Sequence, residues 1–284
     1  MGNRSGTETW APVPRFRAAG DRSLRCSAVI NCGRQRFISL AGATLATVLL
    51  LGACGGGGDD EADDDGDTPA TEEETAPTLP PGTSFFAEAT GADVAIFDQA
   101  DGGTASQDLA NPTESGAPLV FLVDGTDVES ARIPVFLPVK PNGAKGWVDK
   151  AQVKVSQNPY HVKIELSAHK LTVTNGGQNI IETGVGLGEA GTDTPVGTYF
   201  LKELLQNPNP DDVYGPYAYG ISAFTENPEV AEQFGGDGVI GIHGTNDPSS
   251  IGQNVSHGCI RLPNDKITEM AELLPLGTPV EIAA

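Results

Sequence analysis

The sequence predicts a mainly β fold made of two small β-rich units that follow a basic leader and an acidic stretch. Three observations predict it: apolar residues recur at alternating positions in short runs, Gly, Pro, Asp and Asn separate those runs, and a helical period occurs in one place near the C-terminus. With 36 Gly, 21 Pro and 38% hydrophobic residues in 284, the chain is turn-rich yet long enough for one or two modest domains. Its 17 Lys plus Arg against 38 Asp plus Glu leave a net charge of −21. Such a charge would repel a phosphate backbone, so nucleic acid is excluded as a partner. A polytopic membrane protein is excluded by composition.

Residues 1–53 read as a lipoprotein signal peptide. They hold seven arginines and two acids, and from Phe37 an uncharged apolar run follows Arg34 and Arg36, as an h-region follows a basic n-region. The run is short for a membrane span. It ends in Leu51-Gly52-Ala53-Cys54, which resembles the lipobox of bacterial lipoproteins, cleaved before a diacylated cysteine. Cys54 is therefore the expected lipidation site; an ordinary secretory signal with an incidental Cys54 stays open. Residues 54–84 carry ten acids, no base and almost no large apolar residue, and so read as a disordered tether. A flexible coil of that length spans about 30 Å, and self-repulsion lengthens it.

Residues 85–156 form the first β unit. Its strand candidates are VAIFD at 94–98, PLVFLVDG at 118–125, ARIPVFLPV at 131–139 and GWVDKAQVKV at 146–155. Their order, with Gly146-Trp147-Val148 in the last, resembles a small bacterial SH3-like barrel. Trp147 reads as a core or barrel-end aromatic, or as part of a wall-binding groove. No charged constellation here suggests catalysis.

Residues 157–284 form the second unit. Val162, Ile164 and Leu166 share one strand face, Leu171 and Val173 begin the next strand, and Ser167–Lys170 is the turn between them. His161 and His169 then fall on a polar face or turn. Thr183–Gly191 is glycine-rich but lacks a phosphate-loop ending, so it reads as strand and turn. Residues 207–238 are rich in Pro, Gly and Tyr and read as one long loop, a lid or binding wall. Asn264–Leu274 is the helix, with Asn264 or Asp265 as cap and Ile267, Met270, Leu273 and Leu274 as its apolar face.

The chemistry concentrates late in the chain. His243-Gly244 precedes Ser256-His257-Gly258-Cys259-Ile260-Arg261, with Cys259 16 positions after His243. A thiol near pKa 8.5 is only a few per cent thiolate at neutral pH, so a nucleophilic cysteine needs a base within reach, and two histidines are at hand. A glycine before it lets backbone amides approach a developing oxyanion. A buried inert cysteine, a redox thiol, or a zinc site of His243, His257 and Cys259 compete; zinc lacks the usual ligand spacing.

His243-Gly244 followed by Ser256-His257-Gly258-Cys259-Ile260-Arg261 resembles the signature of the L,D-transpeptidase catalytic domain, or YkuD domain. Gly186, Thr194-Pro195-Val196-Gly197-Thr198-Tyr199 and Leu276-Gly277-Thr278-Pro279-Val280-Glu281-Ile282 also fall in family order, so the resemblance spans about 160–283. It implies a β-sandwich-like domain with a helix beside it, and an enzyme that remodels peptidoglycan without a cofactor or metal. Cys259 would be nucleophile and His243 its base; the Gly258 and Cys259 amides, with His257, would hold the oxyanion. Ser256, His257, Gly244 and Arg261 would shape the pocket.

The implied reaction is acyl transfer. Cys259 attacks the third residue of a stem tetrapeptide, expels D-Ala, and passes the acyl group to an amine of another stem. Carbapenem-type inhibitors are expected to acylate it. Resolution by water would instead make a carboxypeptidase or cross-link hydrolase, and a non-catalytic wall-binding lipoprotein is the reading from another class. Leader and chemistry together imply an extracytoplasmic protein held to the cell-envelope membrane only by its lipid.

Overall fold

The computed structural model describes residues 11–12, 80–233 and 238–284, and these are mainly β. The apolar run of the leader, Cys54 and residues 54–79 of the tether lie outside the described residues. Within the leader, β1 (Ala11–Pro12) pairs antiparallel with Leu205 and Gln206.

Seven strands make the first sheet: β2 (Ser84–Ala89), β3 (Asp93–Phe97), β4 (Gln107–Ala110), β5 (Val120–Val123), β6 (Arg132–Phe136), β7 (Lys145–Asp149) and β8 (Val153–Asn158). They run β4-β3-β7-β6-β5-β2-β8, all antiparallel. Period-2 alternation aims Phe85, Ala87, Val94, Ile96, Ile133, Val135 and Val148 at one core around Phe121. The run 146–155 is two strands split by a single 3-10 turn at Lys150–Gln152. The strand β4 had little apolar signal, since Leu109 is its one large apolar residue and the strand is an exposed edge. Trp147 is half-buried on the face opposite Val148, outside the core.

The second sheet begins at Tyr160. Its strands are β9 (Tyr160–Glu165), β10 (Lys170–Asn175), β11 (Gln178–Gly184), β13 (Gly197–Gln206), β14 (Tyr217–Phe224), β15 (Val239–His243), β17 (Ile260–Arg261) and β18 (Pro279–Ala283). The order is β11-β10-β9-β18-β13-β14-β15-β17, with β1 on the side of β13. The pairs β9/β18 and β15/β17 are parallel. A small parallel pair, β12 (Leu187–Gly188) with β16 (Asn254–Ser256), lies apart from it. Helix α1 spans Pro228–Gln233 and α2 spans Asn264–Leu273.

Two expectations are corrected here. Tyr217–Phe224 is a central buried strand rather than loop, because Tyr219, Ile221 and Ala223 alternate inward behind a composition of Gly, Ser and Tyr that reads as loop. Helix α2 has no side-chain cap: Pro263 is its N-cap residue, and Asn264 instead accepts the Thr245 amide on Oδ1 at 2.8 Å. Its buried face is Ile267, Met270 and Ala271, with Leu274 just beyond, whereas Leu273 is 41% exposed. The Tyr219 hydroxyl lies 3.1 and 3.0 Å from the Met270 and Leu274 carbonyls and so ties the helix end to the sheet.

Both sheets belong to one compact unit. Phe200 packs with Val120 and Leu122. Phe86 lies against Gly277, whose φ of +84° and tight fit (an added Cβ would sit 2.5 Å from the Phe86 Cβ) admit only glycine. Asn158 donates to Thr278 Oγ1 at 2.9 Å. The Asn142 side chain makes two 2.8 Å bonds to the Phe224 backbone, donating to its carbonyl and accepting its N–H. Asn142→Ala leaves both partners unmet and is expected to cost about 2 kcal/mol. That is about 4–8 °C in Tm for a unit of this size, readable by calorimetry.

Candidate active site

The parallel neighbours β15 and β17 are in register at Ile242↔Ile260 and His243↔Arg261. Ile242 and Ile260 are both fully buried in the core, so His243 and Arg261 share the opposite side. Cys259 lies two residues before Arg261 and falls on that side too. The Gly241 N–H points at Cys259 Sγ from 3.4 Å. A Cβ on Gly241 would touch both Cys259 Sγ and His243 Cδ2 at 3.8 Å, so thiol and imidazole flank a bare stretch of backbone.

His243 is 5% exposed, and its Nδ1 lies 2.6 Å from the Gly244 carbonyl oxygen. A carbonyl only accepts, so Nδ1 carries the proton and Nε2 keeps a lone pair. Burial holds the His243 pKa down to about 4; the Gly244 bond opposes this, and the positive charge of Arg261 reinforces it. Burial pushes the Cys259 thiol up, against the Gly241 N–H and Arg261. The pair therefore rests as a neutral thiol and a neutral imidazole at pH 7.

Tyr214 sets its ring edge-on to His243, with centroids 5.0 Å apart and planes at 62°. Burial, then the neighbouring Cys259 and Asp212, raise its phenol pKa. Its loop, 207–216, is organised by the buried Asn207, which donates to Asp212 Oδ1 at 2.6 Å and to the Gly215 carbonyl at 2.8 Å. Asp212 in turn accepts the Tyr214 amide at 2.8 Å.

The turn 256–259 is locked from within and from below. Ser256 Oγ donates to the Cys259 carbonyl at 2.6 Å and accepts the Gly258 N–H at 3.2 Å. The Gly258 amide, one of the two expected oxyanion donors, is thus engaged by Ser256 in this structure. Thr192 Oγ1 donates to the Ser256 carbonyl at 3.1 Å and Thr194 Oγ1 to the Gly258 carbonyl at 3.0 Å. Gly258 has φ +111°, and a Cβ there would lie 2.8 Å from Ile240 Cδ1. Gly258→Ala is therefore expected to shift the turn and slow acylation by on the order of 10- to 100-fold, since misplacement of about 1 Å has that effect. Rapid-quench mass spectrometry reads that rate.

The structure thus brings together Cys259, His243, Gly244, Ser256, Gly258 and Arg261. His257 lies in the same turn with an exposed side chain. Cys54 lies outside the described residues. His161 is 3.6 Å from Glu281, and His169 Nε2 is 2.8 Å from Asn254 Oδ1. Tyr214, Gly241, Thr192 and Asn264 as an acceptor were not singled out from the sequence, and Thr194 was noted only as part of the Thr194–Tyr199 segment. Only Tyr214 had a signal, an aromatic closing the Asx-rich run Asn207 to Asp212.

Residues 159–282 match the family model described as the L,D-transpeptidase catalytic domain, YkuD. The putative L,D-transpeptidase YkuD of Bacillus subtilis is 34% identical over 125 residues, covering 44% of this chain and 66% of that protein. The probable L,D-transpeptidase ErfK/SrfK of Escherichia coli is 34% identical over 109 residues, 34% of this chain and 35% of that protein. The chain thus spans less than two thirds of the length of these relatives. A solved L,D-transpeptidase from Mycobacterium smegmatis is 18% identical with a TM-score of 0.35, covering 59% of this chain and 92% of that one. The similarity is confined to the C-terminal part: residues 159–282 match the model of the L,D-transpeptidase catalytic domain.

Proposed function

We propose that the chain is a peptidoglycan L,D-transpeptidase that works through a Cys259 acyl-enzyme. The observation that carries this is the His243 imidazole, neutral and oriented by the Gly244 carbonyl, facing a thiol across Gly241. Cys259 Sγ attacks the carbonyl carbon of the third stem residue while His243 Nε2 takes the thiol proton. The Cys259 N–H steadies the oxyanion. Collapse breaks the amide bond, and the imidazolium returns the proton to the leaving D-Ala amine. In the second half, His243 takes a proton from the side-chain amine of an acceptor stem as that amine attacks the thioester. Cys259 leaves as thiolate and recovers the proton.

Room for a peptide lies beside the turn. A groove of about 670 Å³ runs between residues 191–196 and 225–229, floored by the two threonines that hold the turn. Residues 84–158 fit an SH3-like accessory unit that braces the catalytic sheet through Asn142, Asn158 and Phe86. The leader motif supports a lipid anchor on Cys54 and an extracytoplasmic location. Metabolic labelling with a fatty-acid analogue tests that anchor: label lost in Cys54→Ala supports it, and label retained removes it.

Incubation of the full chain with purified tetrapeptide muropeptides, read by mass spectrometry, tests the activity. Release of D-Ala with a cross-linked dimer is the expected result. Release without dimer makes the protein a hydrolase. No release, from folded protein that a carbapenem also fails to acylate, leaves a wall-binding module.

A further inference from the structure

The described residues include two arginines, and they are held differently. Arg132 donates to Asp149 at 3.0 Å and to the carbonyls of Gln99 and Gly102 at 3.1 and 2.6 Å. Arg261 has no ion pair or side-chain hydrogen bond among the described residues, and its Nε is buried with no partner. Residues 85–284 hold 26 acids and 10 bases, so acidic partners abound. A guanidinium that is partly buried and left unpaired in so acidic a unit is costly to desolvate. Its position explains why that cost is tolerated. Arg261 shares a face with His243 through the β15/β17 register and with Cys259 through the i, i+2 alternation, and its charge reaches Cys259, His243 and Tyr214.

We propose that Arg261 is the receptor for a carboxylate of the donor stem, which it engages through its two-pronged guanidinium as the scissile carbonyl reaches Cys259. A guanidinium fork matches a carboxylate in geometry and charge. Two residues along an extended strand span about 6.5 Å. The terminal carboxylate of a tetrapeptide stem lies three bonds beyond the carbonyl that Cys259 attacks, which suits that spacing. A side-chain carboxylate on the third residue is the other source of the same chemistry. This proposal rests on the L,D-transpeptidase reading and adds a selection rule to it: the donor must present a free carboxylate near the cleaved bond.

The test compares four stems as donors: the tetrapeptide free acid and its C-terminal amide, each with a third residue that has or lacks a side-chain carboxylate. Wild-type and Arg261→Gln proteins are assayed for kcat/KM, and Cys259→Ala with and without Arg261→Gln for stem binding. Amidating the stem is expected to lower wild-type kcat/KM by on the order of 10- to 100-fold, as loss of a charge-assisted pair does. Arg261→Gln should lose as much on the acid and be indifferent to amidation, with part restored by Arg261→Lys. The same pattern following the side-chain carboxylate instead assigns the contact to that group and also supports the proposal. Turnover of all four stems that responds equally to these changes with and without Arg261 overturns it, while leaving the transpeptidase reading intact. Neither turnover nor binding of any stem overturns both.

Discussion

Cys259→Ala is expected to abolish D-Ala release and carbapenem adduct formation while leaving the fold in place. On the proposed mechanism Sγ forms the thioester and no other described side chain can take its role, so the loss should be at least about 10³-fold. Structurally the change is mild. Cys259 is only half-buried by residue exposure, and its one contact of note is the weak Gly241 N–H bond at 3.4 Å. A melting curve shifted by only a few degrees, with intact-protein mass spectrometry showing no adduct, is the expected pair of results. Residual acylation in this variant would refute the assignment of the nucleophile. Cys259→Ser should fare little better, because a hydroxyl is far harder to deprotonate than a thiol and the base here is weak.

His243→Gln is expected to slow acylation by about 10²–10⁴-fold, the usual contribution of a positioned base, and to change the response to acid as well. The folded-state pKa of His243 is depressed from 6.5 to about 4. Its neutral burial therefore contributes stability that is fully present above about pH 6.5. The contribution is lost as pH falls toward 4, because the unfolded chain takes up a proton that the folded one refuses. The lowering is worth on the order of 3 kcal/mol. Melting temperatures of wild type and His243→Gln should thus converge between pH 7 and pH 4, the other acids contributing equally to both. The acid limb of kcat/KM should lie near 4 instead of 6.5. Parallel melting curves, or an acid limb at 6.5, would show that the imidazole is solvated.

What was legible in the sequence followed from local pattern. Val162, Ile164, Leu171 and Val173 announced their strands through strict alternation, and the His243 and Cys259 signature was legible because its chemistry is compressed into a few residues. Tyr217–Phe224 was not legible. A central strand is buried on both faces and has no polar alternation to show, and Gly220 and Ser222 gave it the composition of a loop. The Asn264 cap failed for a different reason. An Asn before a helix can accept from whichever amide comes near, and only the fold places the Thr245 N–H there. The pairing of Gly258 N–H with Ser256 likewise depends on a turn geometry that residue order does not specify. That Arg261 has no ion-pair partner among the described residues could be seen only once their acids had been placed.

The resting state of the thiol has a consequence for its surroundings. Peroxides, disulfides and small alkylating agents react with thiolates, and burial pushes the Cys259 thiol up, toward its protonated form. An oxidising medium should therefore damage it slowly, without any protective reductant. On the proposed mechanism chemical selectivity follows from the same restraint: reagents that rely on a pre-ionised sulfur should react slowly, and those that dock an electrophile long enough for His243 to act should react well.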